Sequence, residues 1–354
     1  MSIVMTGGGT GGHLAIIKAV KEQLVKKNEQ RVISNEEPKS GDEVLVYIGS
    51  TMGQDRQWFG KDDDFEEKFF LETRGVVNQG MIGKIKSIMM LAKATREAMK
   101  LLDEHDAKVV FSVGGFSSAA TSIAAKLKKI PLVIHEQNAA LGSLNKVLRP
   151  YAAAFISSYL EESPIHAYPI KEIFFDQARV REKVKTIIFL GGSQGAKAIN
   201  TLALSLAPKL KKRGLRIIHQ AGEKNIEEVE KQYADLGIEA EVFGFTTKLA
   251  DFMNEADFAV ARAGASTLWE LSATGLPTLY IPYPYAASDH QYFNAKFLVE
   301  KELAWLMREN EIDEEKVLSL LDESLQVKSQ GLVDIVERDG SQKIAALLKT
   351  ESDK

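Results

Sequence analysis

The chain is predicted to be α/β, made of two doubly wound, Rossmann-like domains whose parallel sheets face each other across a cleft. Three observations predict this. A unit of short apolar strand, glycine-rich turn and helix recurs four times. Two of these units, at Gly7 and Gly191, lie in opposite halves of the chain. The length, 354 residues, suits about two domains. Continuous apolar strands alternating with helical periods build a parallel sheet with helices on both faces.

Each unit has its own signals. Residues 2–6 (SIVMT) run into GGGTGGH at 7–13, then into a helix with Leu14, Ile17, Val20 and Leu24 on one stripe. Residues 109–113 (VVFSV) run into GGFSS and then ATSIAAKL. Residues 186–190 (TIIFL) run into GGSQGAKA and a helix to about Lys212, which Gly214 closes. Residues 257–262 run into AGAST, with a helix ending at Gly275. Residues 163–169 (SPIHAYP) hold two prolines and no periodicity, and read as the linker. The expected domains are therefore 1–165 and 166–340, with a C-terminal helix over 341–354 packing back on the first.

Composition narrows the function. The net charge of -4 argues against a nucleic-acid partner. With no cysteine there is no disulfide, thiolate metal site or cysteine nucleophile. No apolar run approaches the ~18 residues of a membrane span, and the N-terminus lacks the basic region of a signal peptide. A soluble, cytoplasmic protein is expected.

In an open parallel sheet, ligands bind beyond the carboxyl ends of the strands. A glycine turn before a helix offers backbone N–H groups and the positive end of the helix dipole to an anion. Four such turns point to a ligand rich in phosphates. Gly7-x-Gly9-x-x-Gly12 alone matches the dinucleotide fingerprint, but the acidic partner that reading wants is represented only by Glu36 and Glu37 in a polar stretch. Asp62, Asp63 and Asp64 read as a solvated acidic run and not as a metal motif, so no metal site is expected.

The motifs GGGTGGH, GGF, HEQNAALGSLNK at 135–146, GGSQGAKAIN at 191–200, and RAGASTLWELSATGLPTLYIPYP with a following DHQYFNA resemble the bacterial MurG family. These are the lipid-linked muramyl-pentapeptide N-acetylglucosaminyltransferases of cell-wall synthesis. The resemblance covers nearly the whole chain. It implies a GT-B fold and inverting transfer of N-acetylglucosamine from UDP-N-acetylglucosamine to the 4-hydroxyl of the muramyl sugar of lipid I. The products are lipid II and UDP. It places the acceptor on the first domain and the donor on the second.

On the donor side, the resemblance assigns Ser193 and Gln194 to the nucleotide, and Ala265, Ser266 and Thr267 to the diphosphate. Glu270 binds the ribose hydroxyls, a task suited to a carboxylate, although Thr267-x-x-Glu270 is also a capping box. His290 and Gln291 read the sugar hydroxyls, and Phe245, in Phe243-Gly244-Phe245, offers backbone groups to uracil. Thr10, Gly11, Gly12 and Asn138 also reach the donor. Lys171 stands where the family has arginine, keeping the charge but losing the planar fork.

On the acceptor side, Gly9, Gly12, Gly114, Gly115 and Phe116 are expected to meet the lipid I diphosphate; Phe116 stands where the family has tyrosine. His13 is the expected base. Histidine is matched to proton removal near neutral pH, and a helix N-terminus disfavours imidazolium. Glu136 is the alternative base, or a structural acceptor of backbone N–H groups. Val76, Val77, Met81, Ile82 and Ile85, with basic residues interleaved along 81–102, are expected to dock on the anionic cytoplasmic face of the inner membrane. No obligatory cofactor is implied; a divalent cation would at most stimulate. Cell-wall synthesis and division proteins are conceivable partners. The alternatives are another GT-B sugar-nucleotide enzyme, such as a UDP-N-acetylglucosamine 2-epimerase, and a non-catalytic scaffold.

Overall fold

A computed structural model of the chain describes residues 2–33, 44–73, 81–192 and 194–354, without the side chains of 27–33, 81, 82, 84 and 85. Two compact units result: Met1–Ile170 with Asp339–Lys354, and Lys171–Arg338. The first runs β1 (Ser2–Thr6), α1 (Gly11–Ile33), β2 (Val44–Ser50), α2 (Asp55–Phe59), β3 (Glu67–Leu71), α3 (Met81–Glu104), β4 (Ala107–Ser112), α4 (Ala119–Lys128), β5 (Leu132–Glu136), α5 (Ser143–Leu148) and β6 (Ala154–Ser157). The second runs α6 (Glu172–Asp176), β7 (Thr186–Leu190), α7 (Lys197–Lys212), β8 (Arg216–Gln220), α8 (Ile226–Asp235), β9 (Glu241–Phe243), α9 (Leu249–Glu255), β10 (Phe258–Ala261), α10 (Ala265–Ala273), β11 (Thr278–Tyr280), α11 (His290–Val299), β12 (Trp305–Leu306), α12 (Glu314–Leu320) and α13 (Gln326–Ile335). Helix α14 (Gly340–Ser352) returns to the first unit, against α1 and β4.

Both sheets are six-stranded, with orders β3-β2-β1-β4-β5-β6 and β12-β11-β10-β7-β8-β9. Every pairing is parallel. The strand order reverses between β1 and β4 and again between β7 and β10, and all four glycine or small-residue turns follow these strands. In a doubly wound sheet that is where ligands bind. Registers Thr6↔Ser112 and Leu190↔Ala261 bring each pair of turns out at one level.

The strands read as apolar runs because both faces are covered: Ile3, Val4 and Met5 of β1 and Ile187, Ile188 and Phe189 of β7 are wholly buried. The stripe Leu14, Ile17, Val20 and Leu24 is likewise buried on α1. Helix α7 ends at Lys212, and Gly214, at φ +71°, donates to Lys211 O (2.9 Å). The proline-rich segment 163–169 departs from the linker reading. Ser163, Ile165, Ala167 and Tyr168 are buried in the first unit, and the division falls between Ile170 and Lys171. Of its two prolines, Pro164 is exposed and Pro169 is buried.

Candidate active site

In the first unit the turns after β1 and β4 touch. Gly115 has φ +81°, and a Cβ on it would lie 2.6 Å from Gly8 O. A Cβ on Gly9, at φ +82°, would lie 2.5 Å from the Phe116 ring. Neither position accepts a side chain, so both glycines are dictated by the approach of the turns. Gly9 N–H donates to the Asp55 carboxylate (2.7 Å), so that N–H is engaged below the turn. Gly114 is buried, its N–H donating to Ser112 Oγ (3.4 Å), and half-buried Gly115 leads into a 3₁₀ turn formed by Phe116–Ser118.

His13 is the third residue of α1 and half-buried. Its Nδ1 lies 2.9 Å from Thr10 Oγ1 and its Nε2 lies 3.0 Å from Gln137 Nε2. An amide nitrogen can only donate, so in this arrangement Nε2 carries the lone pair and Nδ1 the proton. That is the tautomer a base acting through Nε2 needs. Among the described residues Gln137 Oε1 is buried without a hydrogen-bond partner.

The Glu136 carboxylate, at the end of β5, is fully engaged. It accepts from Asn138 N (3.1 Å), Gly142 N (2.8 Å) and Asn145 Nδ2 (2.9 Å), and is buried. Of the two readings of Glu136, this geometry supports the structural one: it shapes the loop between β5 and α5, on which Asn138 sits. His135 is also buried, and among the described residues neither ring nitrogen has a hydrogen-bond partner. Burial first, and the neighbouring His13 second, push its pKa down to about 3.

In the second unit, the turn after β7 closes with Gly195 N donating to Gly192 O (2.9 Å), before α7 starts at Lys197. Ser193 lies outside the described residues; Gln194 is exposed. Helix α10 starts at Ala265 with Gly264 at the cap position, so Ala265, Ser266 and Thr267 form its first turn. The capping-box reading of Thr267 and Glu270 therefore fails: Thr267 is already helical and Glu270 lies a turn in. Arg181, fully buried, holds this helix from behind by donating to Thr274 O, Met253 O (2.8 Å) and Ala256 O (3.1 Å).

Glu270 is half-buried, yet so closely surrounded that burial lifts its pKa to about 7; the nearby Lys171 ammonium opposes the rise. Lys171 thus acts as a charge beside the ribose-binding candidate, at the start of α6. His290 and Gln291 open α11. His290 Nδ1 lies 2.8 Å from Ala287 O, which fixes the proton there. Gln291 Oε1 accepts from Tyr283 N (2.9 Å), so a sugar hydroxyl would have to be met by its amide N–H₂. A pocket of about 870 Å³ lies within this unit, bordered by Gly191, Gly195, Arg262, Tyr283 and Gln291.

Two residues of this site escaped sequence reasoning. Gln220, ending β8, accepts from Gly192 N (3.1 Å) and donates to Gly244 O (3.1 Å), tying the β7 turn to the Phe243-Gly244-Phe245 segment. Glu223 Oε1 accepts from Phe245 N (2.7 Å), the N–H expected to face uracil. The only signal for Gln220 is a polar residue at the carboxyl end of an apolar strand. Phe245 itself is exposed.

Among the expected membrane residues, Val76 and Val77 lie outside the described residues, as do the side chains of Met81, Ile82 and Ile85. Farther along α3, Ile88 and Met89 are 57% and 69% exposed, whereas Ala94, Ala98, Leu101 and Leu102 are buried. Ser87 is buried as well, so Ile88 and Met89 stand out from a helix that is in contact with the core on its other face. Among the described residues no helix is long and apolar enough to cross a membrane. The acidic run is not merely solvated: Asp62 and Asp64 pair with buried Lys21 at 2.6 and 2.5 Å. Glu36 and Glu37 lie outside the described residues.

Known proteins with the same architecture can now be set beside this one. Residues 3–157 match the glycosyltransferase family 28 N-terminal domain, and residues 186–345 its C-terminal domain. The chain is 73% identical over 349 residues to a UDP-N-acetylglucosamine--N-acetylmuramyl-(pentapeptide) pyrophosphoryl-undecaprenol N-acetylglucosamine transferase of Sulfurovum sp. (strain NBC37-1), covering 99% of this chain and 98% of that one. To the enzyme of the same name from Wolinella succinogenes it is 49% identical, covering 98% of each chain. The crystal structure of Acinetobacter baumannii MurG superposes with a TM-score of 0.77 at 26% identity, covering 99% of each chain. Two sheets with turns gathered at their switch points are the GT-B architecture, and with identity that spans both, the chain belongs to the MurG family of glycosyltransferases.

Proposed function

We propose that the chain transfers N-acetylglucosamine from UDP-N-acetylglucosamine to the 4-hydroxyl of the muramyl sugar of undecaprenyl-linked muramyl-pentapeptide (lipid I), giving lipid II and UDP. The observation that carries this is the 73% identity, end to end, with a transferase named for that reaction. Each unit then supplies one half-site. The second takes the donor: the first turn of α10 (Ala265, Ser266, Thr267) receives the diphosphate, at the N-terminal, positive dipole end of a nine-residue helix. Glu270 takes the ribose hydroxyls, Phe245 the uracil edge, its N–H exchanging Glu223 for the base, and His290 and Gln291 the sugar. The first unit takes lipid I, its diphosphate at Gly12, Gly114, Gly115 and Phe116.

The chemistry is a single displacement at the anomeric carbon. The acceptor oxygen forms the new bond as the bond from that carbon to the β-phosphate oxygen breaks, and UDP leaves. The acceptor proton passes to Nε2 of His13, displacing Gln137 from the lone pair. Charge developing on UDP is met by the α10 N–H groups, so the step has no obligatory call for a metal or other cofactor. Exposed Ile88 and Met89, with Lys86, Lys93 and Arg96 also exposed on α3, suit docking to an anionic bilayer on the cytoplasmic face, where the lipid of the acceptor resides.

A transfer assay tests this. With both substrates, labelled sugar should appear in the lipid product with inverted anomeric configuration, and UDP release should require the acceptor. Turnover of UDP-N-acetylglucosamine without acceptor would favour the epimerase reading. The absence of any turnover would favour the scaffold.

A further inference from the structure

Asp55, the first residue of α2, is wholly buried, and its carboxylate touches three different loops. Oδ2 accepts from Gly9 N (2.7 Å), in the turn after β1. Oδ1 accepts from Ser50 N (3.0 Å), at the end of β2, and from Ser117 Oγ, in the turn after β4. Tyr47 OH lies 3.0 Å from Oδ1 and 2.9 Å from Gly7 O, so its one proton serves two acceptors. Burial, and the Asp55 charge after it, push the Tyr47 phenol well up, so it remains a donor. A Cβ on Gly8 would lie within 2.4–2.6 Å of this carboxylate, so the turn is folded directly over it.

We infer that Asp55 is a positioning residue for the acceptor half-site: from beneath, it fixes the spacing between the turn that leads to His13 and the turn that carries Gly115 and Phe116. The inference rests on the proposal that these turns hold the acceptor. Asp55 has no exposed surface, so it acts only through the groups it holds. Its partners are all donors, a set suited to a carboxylate and ill suited to an amide, one end of which would turn N–H toward N–H. Both turns are rich in glycine, which costs conformational entropy to order and leaves them few side chains for mutual packing beyond the Phe116 ring. One buried charge tying both compensates for this, and charge-assisted hydrogen bonds are the stronger kind. Its place just past β2 also bears on the dinucleotide reading: an acid there would have to face a ribose, and this one faces the protein interior.

The test uses full-length Asp55→Asn and Ser117→Ala. Steady-state kinetics are measured for each substrate, and hydrogen–deuterium exchange is followed over residues 2–14 and 112–120. Asp55→Asn is expected to lower kcat/KM for a soluble lipid I analogue roughly 10- to 100-fold, with a smaller change in KM for UDP-N-acetylglucosamine, and to speed exchange in both turns together. Ser117→Ala, which removes a single donor, should lower the same constant roughly 3- to 10-fold; it keeps the test sharp if Asp55→Asn does not fold. Exchange unchanged in both turns would overturn the tie itself. Loosened turns with unchanged acceptor constants would overturn the acceptor reading on which it rests, and with it the inference. An effect confined to the donor constant would do the same.

Discussion

Lowering the pH from 8 to 5.5 should weaken the binding of UDP-N-acetylglucosamine through one group, Glu270. Burial raises its pKa to about 7 in the empty site, and only the ionised carboxylate can accept from two ribose hydroxyls without offering a competing proton. At pH 8 the group is mostly ionised. At pH 5.5 the protonated form outnumbers the ionised one by ~30-fold, and apparent affinity should fall by as much as that. Binding near pH 6 should therefore release a proton. Calorimetric titration without acceptor, in two buffers of different ionisation enthalpy, reads both effects; this donor carries no phosphate monoester to titrate in the same range. Glu270→Gln should bind more weakly at pH 8 and lose the pH dependence. Stability should respond in the opposite direction. The folded pKa lies above the ordinary 4.5, so stability is lost as pH rises from about 4.5 through about 7. Glu270→Gln should recover as much as about 3 kcal/mol of it at pH 8. Affinity that is flat between pH 5.5 and 8, or a pH dependence that persists in Glu270→Gln, would refute the reasoning.

Acid should destabilise the fold through two buried histidines. Burial depresses His135 to about 3 and His219 to about 4, so stability is lost as pH falls below about 6.5. Urea unfolding between pH 6.5 and 4.5 should show it, and His135→Leu should flatten the slope by about 1.4 kcal/mol per pH unit; an unchanged slope would contradict a neutral buried ring. The double variant Ile88→Asp, Met89→Asp should lose most sedimentation with anionic vesicles while keeping donor affinity, because both side chains are already exposed. Vesicle binding that survives it would argue against α3 as the docking element.

Much of the fold was legible because its signals are local. An apolar pentapeptide followed by glycine marks a buried parallel strand and the turn beyond it, and both β1 and β7 end where such runs end. The same local logic misled at Thr267 and Glu270. Their spacing satisfies a cap, but the chain already turns helical after Gly264, as the adjacent β10 turn requires. At 163–169 it caught the neighbourhood of the division but not the burial of Ser163, Ile165, Ala167 and Tyr168. What could not be read is pairing between distant segments. Asp62 and Asp64 look solvated until Lys21 is placed between them. The hydrogen bond from Gly9 N–H to Asp55 is another such pairing. Glu136 was open between two roles in the sequence, and its three short hydrogen bonds from 138, 142 and 145 depend on how the following loop folds.

The division of labour between His13 and Glu136 is the centre of the proposed mechanism, and the pH profile of kcat tests it most directly. Wild type, His13→Ala and Glu136→Gln are compared at saturating concentrations of both substrates. His13→Ala should lower kcat by ~10²–10⁴ and abolish the acidic limb, with donor affinity unchanged. Glu136→Gln should unfold at a lower temperature, because an amide cannot accept from every donor around it, yet keep the acidic limb. The opposite result, an acidic limb that persists in His13→Ala and disappears in Glu136→Gln, would move the base to Glu136 and contradict the account.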